Sequence, residues 1–464
     1  MDSITKGRAL NTFTVDAAAA LGGPQWLAER RLGAAEALAG LSVPTAESDV
    51  WRYSPIEELD LDTYAPTPAT HNGARSRAGD EARALARILG GVGALAIVEG
   101  GRLLDVERAG LDDSITFGGA AESGSPGAFG QVVSSSEIFV SMNDAFAPDV
   151  IVVDVPARTH VDAPILVFHW CDPGAGEGGA ASGAVFPRTI VSVGEGSTVS
   201  VIEVLIGGAA AGRGLVVPVT ELSVGDGALL SYVGVQQLGP QSWHIGRIGA
   251  TVGRDATLRS FTVGLGADYD RSRSDAVITG QGGSTELRSA YFGSGTQVHD
   301  VRTMQDHAAP RSTSDLLCKG AVAQHSRSVY SGLIRVRRGA VRADAMQTNH
   351  NLVLDQSAHA DSVPNLDIEE NDVRCSHAST VGPVDEDQRY YVESRGVPPS
   401  RAERLIVLGF FDDIIERVPV AATAPYLRSA FGERLAESWH EEPAGPGEQG
   451  PDEQGPGEQG GDRD

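Results

Sequence analysis

The sequence predicts a mostly β chain, with a parallel β-solenoid (β-helix) at its centre and α-helical regions on its N-terminal and C-terminal sides. Three observations predict it. The first is a weak internal repeat. Val193-Gly194-Glu195-Gly196-Ser197-Thr198-Val199 is echoed by Val224-Gly225-Asp226-Gly227-Ala228-Leu229-Leu230, by Val252-Gly253-Arg254-Asp255-Ala256-Thr257-Leu258 and, more loosely, by Ile278-Thr279-Gly280. The repeats start 31, 28 and 26 residues apart, a spacing that signals a stacked array. The second is alternation within the unit: Val199, Val201, Glu203 and Leu205 place one face inward and one outward. The unit has no helical segment, which excludes leucine-rich and ankyrin repeats. The third is a change of pattern. Gly-punctuated, β-prone chain from about 150 gives way, after Gly382, to purely helical periodicity. Glycines at the corners permit the positive φ of sharp bends, and each rung buries its inner face on the next. A β-sandwich is the structural alternative. It favours two-residue turns such as Asn-Gly, and this region has none.

The elements follow in order. Residues 1–135 read as an N-terminal helical and mixed region. Pro24 suits the first turn of a helix, and Gln25 to Ala39 is rich in helix formers with Leu27, Ala34, Leu38 and Leu41 near one face. Residues 66–80 and 118–130 read as loops, 81–89 as a short helix and 92–117 as short strands, clearest at Ala94 to Val98. The solenoid core is assigned to 136–382, with a helix near 137–147 and a flexible loop at 174–183. Residues 383–440 form a C-terminal helical domain. Asp385-Glu386-Asp387-Gln388 and Ser400-Arg401-Ala402-Glu403 have capping-box spacing, and Gly396 closes the first helix. The next helix carries two apolar stripes, Ile406, Phe410, Ile414 and Val407, Phe411, Ile415, Val418; a third shows Leu427, Phe431, Leu435 and Trp439. Because a solenoid has two open ends, the helical regions are expected to cover them. Residues 441–464, with three Gly-Pro-led pentapeptides, are expected to be a disordered acidic tail.

Composition narrows the function. A formal net charge of −25 opposes binding to nucleic acid or anionic membrane through bulk electrostatics. Three widely spaced cysteines, Cys171, Cys318 and Cys375, argue against a disulfide framework and for a reducing compartment. No apolar run approaches a membrane span and Met1 to Lys6 lead into no signal-peptide core, so the expected location is cytoplasmic. The sequence has no Gly-x-x-x-x-Gly-Lys-Ser/Thr, no Gly-x-Ser-x-Gly and no His-Glu-x-x-His.

Candidate chemistry gathers at Asp372-Val373-Arg374-Cys375-Ser376-His377. On a strand, residues two apart project from one face, which sets the Cys375 thiol beside the His377 imidazole, a combination suited to iron, copper or zinc. Spacing alone more often marks a buried cysteine and a structural histidine, since metal sites usually need three or four ligands. Six histidines between 299 and 377 (His299, His307, His325, His350, His359 and His377) would form a metal-binding surface only if neighbouring rungs stacked them together.

Gln347-Thr348-Asn349-His350-Asn351-Leu352-Val353-Leu354, Asp361, Pro364-Asn365-Leu366-Asp367-Ile368, Asp372 to His377, Thr380-Val381-Gly382, Asp385 to Gln388, Tyr391 and Ser394-Arg395-Gly396 resemble the core signature of the SufB/SufD family of iron–sulfur cluster assembly proteins. The Pro44…Glu47…Trp51-Arg52-Tyr53 segment resembles the family's N-terminal motif. The resemblance implies a right-handed parallel β-helix between helical ends. It implies pairing with a SufB-like paralogue through the β-helix, and with a SufC-like ABC ATPase through C-terminal helices around Arg395, Gly396, Leu405, Phe410 and Phe411. Asn349 stands where the SufB branch has an essential cysteine, and Ser376-His377-Ala378 where that branch has Glu-His-Glu. Both departures point to the SufD branch. That implies a non-catalytic subunit with His377, and with it Cys375, at the shared interface beside transient iron or a nascent cluster, and no tightly bound cofactor in the isolated chain. The alternatives are a homodimeric scaffold of the same family and a β-helix enzyme acting on polysaccharides.

Overall fold

The structure is a computed structural model that describes residues 10–67, 77–124, 127–172, 181–207 and 213–438. Trp439, the tail at 441–464 and most of the loop expected at 174–183 lie outside the described residues, as do parts of the loops at 66–80 and 118–130.

Successive strands alternate between two sheets, so the middle of the chain is a two-sided parallel solenoid. The first sheet runs from Ile151–Val155 through Arg188–Val193, Val219–Val224, Ser242–Val252, Tyr269–Ile278, Val298–His307 and Arg327–Val336 to His359–Ile368. The second runs from Ala94–Glu99 and Ile165–Trp170 through Thr198–Ile206, Leu229–Gln237, Thr257–Gly264, Ser284–Gly293, Thr313–Val322 and Asp344–Val353 to Arg374–Gly382. The repeat is the rung. Val193, Val224, Val252 and Ile278 are in register with one another. From Ile165 onward every pairing between named strands is parallel among the described residues, which excludes the hairpin sandwich.

The corners explain the glycines. Gly196 and Gly227 turn with φ of 66° and 65°, and their amides donate to Asp226 O and Arg254 O of the next rung at 2.9 and 2.8 Å. Gly280 has no room for a side chain, because a Cβ there would collide with the backbone of Arg254.

Residues in register point the same way, so each inward position forms a column along the axis. Val191, Leu222, Ala250 and Ala276 are one such buried column, and the same column continues as Gln305, Ile334 and Leu366. The interior changes along its length. The early rungs are lined by Val153, Val193, Val199, Val201 and Leu230, with one buried carboxylate. That carboxylate, Glu203, is held by Thr220, Tyr232 and His169 at 2.8, 2.6 and 3.0 Å. The late rungs bury His299, Thr303, Gln305, His307, Asn349 and Asn351.

Helices cover the sides of the solenoid rather than its ends, contrary to expectation. Ile138–Phe146 lies on the outer face of the first sheet. Asn143 Nδ2 donates to Pro187 O and Val217 O at 2.8 and 2.7 Å, and the buried Arg188 pairs with Asp144 at 2.8 Å and with Glu221. Gln25–Leu38 packs against that helix; Pro24, expected in its first turn, is instead its N-cap. The Trp51-Arg52-Tyr53 segment is a strap on the same face: the Arg271 guanidinium lies 3.8 Å from the Trp51 ring centroid, and Val50 O and Arg52 O accept from Arg271 and Arg302 at 2.7 and 2.8 Å.

The C-terminal helices Pro399–Ile415 and Ala424–Ser438 pack on the outer face of the second sheet. Val407, Phe411, Ile414, Leu427, Phe431 and Leu435 join one core with Phe261, Phe292 and Leu317. The Val407, Phe411, Ile415, Val418 stripe is thus buried, against strands, while Ile406 and Phe410 are partly buried. Asp385 caps Glu386–Glu393 through the amides of Asp387 and Gln388, and Gly396 (φ 85°) follows that helix. Ser400 is not a cap: the next helix already includes Pro399, whose missing N–H costs nothing there, and Pro398 is its N-cap.

The two ends differ. At the N-terminal end an antiparallel strand closes each sheet, Thr116–Gly118 on the first and Arg102–Arg108 on the second. Leu111, Ile115 and Phe117 are buried in the core there. At the C-terminal end His359–Ile368 and Arg374–Gly382 are the outermost strands, and nothing among the described residues covers them. Their inward-facing Leu366, Ile368 and Val381 are 41%, 40% and 43% exposed.

Candidate functional site at the open end of the solenoid

Cys375 and His377 both lie on Arg374–Gly382, in register with Ala345 and Gln347 of the preceding rung. Ala345 and Gln347 are buried inside the solenoid. The thiol and the imidazole therefore point into the same interior, at its outermost layer, which the described residues leave open to solvent. The opposite strand confirms the geometry, because Ser379 Oγ donates to Ser362 Oγ across the interior at 2.6 Å. His377 is exposed and Cys375 half-buried. Cys375 packs beside Val336, Ala343 and Ala345. Burial, with the nearby Asp344 carboxylate, raises its thiol pKa, which favours the protonated thiol.

The structure does not bring the six histidines together. His299 is inside, with Nδ1 3.1 Å from Asp270, whose other oxygen is 2.7 Å from His244 Nδ1. His307 is inside too, held by Ser312 and Ser314 at 2.7 and 2.8 Å. His350 points outward on the second sheet, and His359 is exposed beside Asp361 at 3.2 Å. Among the described residues no group of three or more His, Cys, Asp or Glu could hold a metal ion. Asn349 is interior and buried; its Nδ2 donates to Cys318 O at 3.3 Å, and its Oδ1 accepts from Asn351 at 2.8 Å. Cys318 is enclosed, its thiol pushed up to about 12 by burial.

The residues expected to meet an ATPase divide into two sets. Leu405 is 48% exposed, and Arg395 is exposed with its guanidinium 4.9 Å from the Tyr391 ring centroid. Gly396 is exposed beside them. Phe410 is partly buried over Lys319, whose Nζ donates to Phe410 O at 3.0 Å and pairs with Asp413 at 2.7 Å. Phe411 is 1% exposed and stacks on Phe431 at 4.3 Å; it supports the helix from beneath. Tyr390 and Tyr391, exposed on the preceding helix, extend the same surface. Two adjacent tyrosines in an otherwise polar helix are a signal of that surface legible in the sequence.

A β-solenoid with one end uncovered among the described residues, and helices secured along its flank, defines a scaffold class. The chain belongs to the SufBD family of the SUF system for iron–sulfur cluster assembly, whose core-domain model matches residues 176–410. It is similar to an iron–sulfur cluster assembly SufBD family protein of Mycobacterium tuberculosis H37Rv, 38% identical over 200 residues, covering 41% of this chain and 50% of that protein. It is also similar to the iron–sulfur cluster assembly protein SufD of Escherichia coli K12 (26% over 300 residues, 65% of this chain and 70% of that protein) and of Bacillus subtilis 168 (31% over 193 residues, 41% and 44%). The chain spans about half the length of the mycobacterial relatives it matches. Among the described residues no helix is long and apolar enough to cross a membrane.

Proposed function

We propose that this chain is a SufD-type, non-catalytic subunit that pairs through its open solenoid end with a SufB-like paralogue and presents His377, with Cys375, to iron or a nascent cluster at their seam. The observation that carries the reading is the bare terminal rung. Among the described residues the two outermost strands offer unpaired backbone groups, a ready template for further strands, and their inward Leu366, Ile368 and Val381 are left about 40% exposed. The His377 imidazole and Cys375 thiol lie in that layer. Two ligands from one chain are too few to hold iron alone, so the remaining ligands come from the partner. A SufC-like ATPase docks on Tyr390, Tyr391, Arg395, Gly396, Leu405 and the rim of Phe410. Lys319 then links that surface to the strand next to Asp344–Val353, which carries the rung beneath His377. The chain acts in the cytoplasm as part of this complex.

The test is cluster assembly by the co-expressed complex. His377→Ala is expected to leave the complex intact and to lower its cluster content at least several-fold; wild-type content in that variant would reject the site. The homodimer reading uses the same end, and sizing of the purified chain with and without the paralogue separates the two.

A further inference from the structure

Gln347 lies directly beneath His377, in register, one rung in from the open end. Its side chain is 1% exposed, and neither Oε1 nor Nε2 has a hydrogen-bond partner among the described residues. Leaving a buried amide unsatisfied costs about 1–3 kcal/mol, and a leucine or methionine would fill the same space without that cost.

The surroundings show that the amide is accommodated but not satisfied. It crosses the interior to Gly332, where a Cβ would collide with both the Gln347 amide and the Tyr330 hydroxyl. That hydroxyl is already engaged with Thr303 Oγ1 at 3.0 Å. Below Gln347 its own column is apolar, first Leu316 and then Leu287. The neighbour above it is His377, on a strand about 4.8 Å away and within reach of a flexible amide.

We propose that Gln347 is the positioning residue of His377, its amide oxygen accepting the N–H of one ring nitrogen once the open end is covered and the other ring nitrogen holds iron. An imidazole that binds a metal through one nitrogen donates from the other, and the acceptor fixes the tautomer and orientation of the ring. The amide is unpaired in the lone chain because its partner is a ring still free to turn in solvent. This assignment rests on the reading of His377 under Proposed function.

The experiment compares wild type, Gln347→Met, Gln347→Glu and His377→Ala in the co-expressed complex, measuring the rate at which cluster iron is lost to a ferrous chelator. The thermal midpoint of each purified full chain is measured alongside. Gln347→Met is expected to lose iron about tenfold or more faster than wild type, with a midpoint equal to or above it. Gln347→Glu, which keeps an acceptor beneath the ring, is expected to lose iron more slowly than Gln347→Met. Iron loss from Gln347→Met at the wild-type rate overturns the assignment. So does a fall in its midpoint that accompanies the iron loss, which marks a residue that only supports the fold. If His377→Ala loses iron quickly and Gln347→Met does not, Gln347 alone is misassigned; if His377→Ala holds iron like wild type, the reading of His377 fails.

Discussion

The two ends of the solenoid solve the same problem in opposite ways. At the N-terminal end the strands are capped by antiparallel neighbours and the interior is closed by Leu111, Ile115 and Phe117. At the C-terminal end equivalent inward positions carry Leu366, Ile368 and Val381, left about two-fifths exposed beside His377 and Cys375. A solenoid that had only to be stable would close both ends. The helices could have closed the second one, yet they pack on the sheet flanks. Among the described residues the bare end is the one left uncovered, and the proposed site lies there.

The comparison can be broken most forcefully by trading side chains between the ends. Phe117→Ala at the closed end is expected to cost about 3–5 kcal/mol, the usual range for emptying a packed aromatic site. Leu366→Ala at the open end is expected to cost about 1 kcal/mol, because much of that side chain is already wet. Denaturant midpoints of the two variants check this, and equal losses would erase the distinction between the ends.

The interior provides a second contrast: the late His307 is buried between the Ser312 and Ser314 hydroxyls, whereas the early His169 is buried against the Glu203 carboxylate. Burial holds His307 down at about 4 against its ordinary 6.5. The unfolded chain therefore binds the proton first. Stability contributed by the neutral ring is full above about pH 6.5 and is lost as pH falls toward 4, by up to about 3 kcal/mol. A His307→Asn variant is expected to lose less stability than wild type between pH 7 and pH 4.5, measured by urea unfolding at each pH.

Lys319 tests how firmly the flanking helices are tied. Lys319→Met removes charge-assisted bonds to Phe410 O and Asp413 while keeping the buried stem. A loss of about 1–2 kcal/mol is expected, with faster amide exchange confined to Pro399–Ile415. The smallest effect on the lone chain is expected from Ile368→Asp. A partly exposed site accepts the carboxylate at a cost below about 1 kcal/mol, yet the variant should no longer co-purify with the paralogue.

Much of this was legible in the sequence. The repeat starting at Val193, Val224, Val252 and Ile278 is the true register, because corner glycines and inward valines recur once per rung. The C-terminal helices were legible from their stripes, but a stripe reports that a face is buried and not what buries it, so their place on the flank was not. Pro399 outranked Ser400 at the helix start because a proline in the first turn is preorganised. Ala94–Glu99 joins the second sheet from before the repeat begins, a long-range pairing with no local signature. The pairing of Cys375 with His377 on one face followed from strand periodicity alone. The scatter of the other histidines follows from the same periodicity once register is known: His299 shares the inward parity, and His350 falls on the outward one. Gln347 gave no signal of its own, since an unpaired amide is visible only when its surroundings are.

The most direct measurement is amide hydrogen exchange on the chain alone and with the proposed SufB-like paralogue. Amides of His359–Ile368 and Arg374–Gly382 are expected to slow at least tenfold on complex formation, while those of Arg102–Arg108 and Thr116–Gly118 exchange as before. Unchanged exchange in the two terminal strands, with protection appearing at the closed end, would contradict pairing through the open end.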